Sequence, residues 1–172
     1  IEALYQWAKA SPGDFLALQT LADAVQPIAV ELAAAPPELV AAPEGEIAKL
    51  FTLAEQALDA LIRSRPYDPT YYGSLIKLLN AKGDADAAAR VPERTLAARP
   101  KDPRLLGTGA YALAINGFPE VALHLYDRAL ALDPDNMDVA MNRASCLTRL
   151  DRFAEAADFY RRILEQGWRG KE

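Results

Sequence analysis

The sequence predicts an all-α protein built from short helical hairpins, and three observations predict it. Ala and Leu together make up about a third of the 172 residues, so summed propensity favours helix along the whole chain. Alternation of apolar and polar residues with a period of two is nearly absent, which removes the usual mark of a half-buried strand. Short Pro/Asp/Gly/Asn punctuation divides the helical segments, and it returns at a fixed step of 34 residues: Pro66-Tyr67-Asp68, Pro100-Lys101-Asp102 and Pro134-Asp135-Asn136.

Other positions keep the same step. Gly83 and Gly117 mark a turn that Asp151 occupies in the third copy. Ala88, Ala122 and Ala156 recur where two helices must approach closely, and Tyr126 and Tyr160 fill a bulky slot four residues later. The starts of the helices follow from local chemistry. Asp68 and Asp102 place a side-chain acceptor just before Pro69 and Pro103, whose missing N–H costs nothing at a first helical position, and Asn136 caps the third copy. Asp84 and Asp151 are the expected caps of the second helices. These signals predict helices near 69–82, 85–98, 103–116, 119–132, 137–150 and 153–166.

Units 69–102, 103–136 and 137–170 resemble tetratricopeptide repeats, 34-residue helix-turn-helix units with small residues at positions eight and twenty, an aromatic at twenty-four and proline at thirty-two. The middle unit carries the pattern through Leu106, Ala110, Leu113, Gly117, Ala122, Tyr126, Ala129 and Pro134. Ile76 and Pro92 depart from it in the first unit, so the second helix there is expected to bend or start late. Trp168 replaces the closing proline of the last. The resemblance implies a right-handed α-solenoid of antiparallel helix pairs with a concave inner surface.

The N-terminal part fits the same ruler. Pro12-Gly13-Asp14 repeats the punctuation, and Asp14 lies 54 residues before Asp68, one period plus 20. Residues 15–68 therefore read as a repeat with an insertion of about twenty residues, expected as a loop over roughly 28–47 because of Pro36, Pro37, Pro43 and Gly45. The first helix should start at Phe15, point Leu18, Leu21 and Ala22 inward and kink at Pro27; the second should hold Ala54, Leu58 and Leu61. That loop is a candidate strap across the groove. Residues 1–14 read as a half repeat, with Leu4 and Trp7 packing inward, and a mid-repeat start at Ile1 suggests a fragment of something longer. Residues 1–10 lack the basic cluster and apolar core of a signal peptide, which favours a cytoplasmic location. The whole chain, 1–172, is then one repeat domain.

Composition narrows the functional classes. A net charge of −5 disfavours a general nucleic-acid binder. The apolar runs Ile28–Val30 and Leu32–Ala35, interrupted by Glu31 and bounded by Pro27 and Pro36, lead us to expect no membrane insertion. One histidine, His124, and one cysteine, Cys146, supply neither a disulfide nor the usual metal cage, so no metal or cofactor is expected. His124 reads as a surface residue and Cys146 as a small core filler, leaving no catalytic constellation and no expectation of an enzyme.

The resemblance also implies where a partner would lie, on first-helix positions two, five, six, nine, twelve and thirteen. The candidate groove residues are Lys77, Asn80, Arg104, Tyr111, Met141, Asn142, Ser145 and Arg149. Lys77, Arg104 and Arg149 stand against Asp138, which suits a peptide or protein segment with acidic character. Gly73 and Gly107 either leave room for a close ligand or are tolerated weak points. Gly73, Thr108 and Asp138 stand where a clamp for chaperone carboxylate ends would want Lys, Asn and Lys, and Ser74, Thr108 and Asn142 give only one rung of the asparagine ladder of glycosyltransferase repeats. The expectation is a non-catalytic protein–protein interaction module; the rival readings are a regulatory or substrate-recognition segment of a larger enzyme, for instance a glycosyltransferase, and a scaffold that self-assembles into a homo-oligomer through its ends.

Overall fold

The computed structural model of the chain describes residues 14–36 and 44–166, together with Ala3, Gln6, Trp7 and Ala10. Among the described residues the only regular structure is helical. The chain divides into two compact units, Ile1–Pro100 and Lys101–Glu172.

In the first unit, α1 (Phe15–Ala34) and α2 (Glu44–Ser64) form a long hairpin. Asp14 starts α1 by accepting from the N–H groups of Leu16 and Ala17. The inward stripe is Ala17, Leu18, Leu21, Ala22, Val25 and Ala29. It meets Phe51, Ala54, Ala57, Leu58, Leu61 and Ile62 of α2, all buried at helical spacing.

Two expectations are corrected here. Residues 28–34 and 44–47 are helical rather than loop, so much of the insertion lengthens the two helices; residues 37–43 lie outside the described residues, and with them the proposed strap. The helix runs through Pro27 because that residue is exposed, which leaves the carbonyl that loses its partner facing water. It ends where Ala35, extended at φ −72° and ψ 143°, precedes Pro36. Uninterrupted at Pro27, α1 is 20 residues long and apolar enough to cross a membrane by length and composition, contrary to the expectation from sequence. Here its buried stripe packs on α2 and α3 (Pro69–Ala81). Trp7 is 39% exposed rather than packed inward, and Leu4 lies outside the described residues.

Helix α3 packs on α1, α2, α4 (Ala85–Ala89) and α5 (Val91–Leu96). Tyr71 and Tyr72 anchor it from its first turn, their hydroxyls donating to Gln19 Oε1 (2.7 Å) and to the Pro66 carbonyl (2.9 Å). The second helix of this pair is broken, as Pro92 predicts. Pro92 has no N–H for the Ala88 carbonyl, and the backbone passes through φ −95° and ψ 3° at Arg90 before resuming as α5. Arg94 ties α5 to α2 through Asp59 (2.9 Å) and Glu55 (3.0 Å). Burial dominates at Asp59 and raises its pKa despite that guanidinium.

The second unit holds α6 (Pro103–Ile115), α7 (Pro119–Leu132), α8 (Met137–Arg149) and α9 (Phe153–Gln166). Each packs on the next, and α6 also touches α8, so successive first helices lie side by side, as in a solenoid of helix pairs. Ala122 and Ala156 are buried to 0% and 3% exposure at the close approaches, and Tyr126 fills the bulky slot at 1%.

The 34-residue step is visible in backbone geometry. Asp68, Asp102 and Asn136 each accept through Oδ1 from an N–H two or three residues on. After each first helix, Gly83 (φ 85°), Gly117 (φ 96°) and Asp151 (φ 57°) take the left-handed conformation. The next residues, Asp84, Phe118 and Arg152, return their N–H groups to the carbonyls of Leu79, Leu113 and Leu147, closing three equivalent C-terminal caps. Asp151 therefore ends a helix instead of capping the next, because it stands at the glycine position. Asp84, one place later in the repeat, does cap α4 through the Ala87 N–H.

Candidate functional site

In the first unit, Lys77 and Asn80 are exposed on the last two turns of α3. The α3 faces carrying Leu75, Ile76, Leu78 and Leu79 are buried against neighbouring helices. Gly73 is buried too, so it opens no room for a ligand.

The second unit brings the remaining six candidates onto two adjacent helices. On α6, Arg104 and Tyr111 are exposed at the i, i+7 spacing of one helical face, with Thr108 between them and Ile115 one turn beyond. On α8, Met141, Ser145 and Arg149 are exposed at successive i+4 steps, with Asn142 half-buried beside them. Tyr111 and Met141 are each 39% exposed and Ile115 is 47% exposed, a rim of large apolar surface on helices whose other faces are packed. Ala114 is buried and does not line this surface.

Gly107 explains how the two helices come together. A Cβ on it would lie 2.9 Å from Val139 Cγ2, so the missing side chain is what lets α6 approach α8. Room for a ligand is not its role.

Behind the rim sits a buried cluster. Burial raises the pKa of the Tyr126 phenol, with Cys146 and Tyr111 adding to the rise and Arg149 opposing it, which places Tyr111 and Arg149 around the same hydroxyl. Cys146 is 1% exposed, and its thiol donates to the Pro119 carbonyl at 3.2 Å. Burial raises its pKa as well, despite Arg149, so it packs as a small apolar residue rather than a thiolate nucleophile. His124 is exposed on α7. Among the described residues no group of three or more His, Cys, Asp and Glu is placed to hold a metal ion.

The tetratricopeptide repeat model matches residues 49–103 and 108–170, more than half of the sequence. The chain belongs to the tetratricopeptide repeat family. Repeats of this family are in general protein–protein interaction modules, and that is the role membership gives this chain. No curated protein matches the sequence. Solved structures similar to it include TTC0263, a thermophilic tetratricopeptide repeat protein of Thermus thermophilus, at 20% identity and TM-score 0.47 over 96% of this chain and 80% of that one. MamA of AMB-1 is similar at 21% identity and TM-score 0.43, over 95% and 94%. YrrB, described as having an unusual peptide-binding site, is similar at 14% identity and TM-score 0.42, over 91% and 88%.

Sequence reasoning missed one contributor to the tetratricopeptide surface. Ile115 falls at groove position thirteen, and the i, i+4 step from Tyr111 was the signal that joins the two into one apolar edge.

Proposed function

We propose that this chain is a non-catalytic module that holds a peptide or protein segment against the exposed faces of its first helices. The observation that carries the reading is the pair Tyr111 and Met141, large apolar side chains left 39% exposed on helices otherwise buried by their neighbours. An aromatic ring and a thioether are suited to contact, since each offers much apolar area for few fixed torsions. On the same two helices, Arg104, Asn142, Ser145 and Arg149 add donors and charge able to meet a peptide backbone and acidic side chains. In the first unit, Lys77 and Asn80 offer the same chemistry on α3.

The test is reversal of charge. Replacing Lys77, Arg104 and Arg149 together by Glu turns three exposed cations into anions and leaves the core untouched. Circular dichroism is expected to match the wild type while capture of the partner is lost. Undiminished capture by a folded triple variant contradicts the reading.

A further inference from the structure

We propose that the α6–α8 strip selects a segment in which a bulky apolar side chain and a carboxylate lie about two to four residues apart, the apolar group seated among Tyr111, Ile115 and Met141 and the carboxylate on Arg149. This deepens the reading above and rests on it.

The chemistry is asymmetric along the strip. Tyr111, Ile115 and Met141 form its apolar part, and their exposures of 39%, 47% and 39% leave enough surface to cover one side chain. Arg149 lies eight residues beyond Met141 on α8, about 12 Å along the helix axis, and an extended peptide advances about 3.3 Å per residue. Two to four peptide residues therefore bridge the interval from the apolar cluster to the guanidinium.

Arg149 is also chemically available. It is exposed and takes part in no ion pair among the described residues. Glu120, which acts on the same thiol as Arg149, and Asp151, two residues along the chain, leave it without a salt bridge. The acid on its own helix face, Asp138, is eleven residues away, about 16 Å along the axis and about two screening lengths at physiological salt. Arg143 is not a second such site, because Asp127 holds it at 2.6 Å. Charge complementarity thus points to one carboxylate near one end of an apolar seat.

The probe is a phage library of random 12-residue peptides, panned against the full 172-residue chain and against R149E, with R149K, Y111A and M141A as further targets. Peptides from the wild-type chain are expected to pair Leu, Ile, Met or an aromatic with Asp or Glu at the stated spacing. R149E is expected to weaken the best of them about tenfold and to select Lys or Arg at the acidic position, with R149K staying close to wild type. Selected peptides without an acidic preference, or an unchanged selection on R149E, overturn this inference while leaving the groove reading standing. Peptides that bind Y111A and M141A as well as wild type overturn the groove reading itself, and a library without binders overturns both.

Discussion

At the scale of single residues, three positions carry sharp consequences. Asp151 holds φ 57° where the other two repeats use glycine, so Asp151→Gly removes a left-handed penalty and is expected to stabilise the fold by about 0.5–1 kcal/mol. A lower midpoint in urea denaturation contradicts that assignment. Gly107 is the reverse case. Alanine adds helix propensity but puts a Cβ 2.9 Å from Val139 Cγ2, and the stiff valine cannot swing aside. Gly107→Ala is expected to cost about 1 kcal/mol net, and adding Val139→Ala to that variant should relieve the clash; independent, additive losses contradict the contact. Cys146 has its thiol pKa raised by burial, so at pH 8 to 9 its thiolate fraction is below that of a free cysteine. Disulfide-exchange labelling of native protein should be slowed about a hundredfold or more relative to unfolded protein; rapid labelling of the native chain contradicts its burial.

At the scale of helices, the caps were legible in the sequence because they are local. Asp68, Asp102 and Asn136 each satisfy an N–H within three residues, and such a bond needs no knowledge of the rest of the fold. Asp102→Ala is expected to cost about 1 kcal/mol, with Asp102→Asn close to neutral, measured by equilibrium unfolding. Loss of equal stability in both variants would point to something other than the cap. The break at Arg90 was legible too, since Pro92 acts on its own preceding turn. The insertion was not. Whether Pro27 ends a helix depends on which way its orphaned carbonyl faces, and that depends on packing of α1 against α2, which no local pattern states. Gly45 misled for a similar reason: within the first turn of α2, beside Glu44 and Glu46, a glycine costs little and the acids favour a helix start. Asp151 was read as a cap because its residue type suits one, while its register in the repeat makes it a helix end.

At the scale of the whole molecule, the repeat makes stability and recognition separate problems. Buried positions at a 34-residue step tie each helix to its neighbours, and exposed first-helix positions are free to vary without disturbing the core. The sequence therefore revealed the candidate surface only through the family pattern, and the coordinates sorted it: Tyr111, Met141, Ser145 and Arg149 are exposed, Gly73 and Ala114 are buried, and Gly107 serves the helix contact. The claim that first helices hold the partner is tested most directly by hydrogen–deuterium exchange of the full chain with and without a peptide selected on it. The account predicts slower exchange in α6 and α8, with the outward face of α7 around His124 unchanged. Slower exchange confined to α7 or α9, with α6 and α8 unaltered, would contradict it.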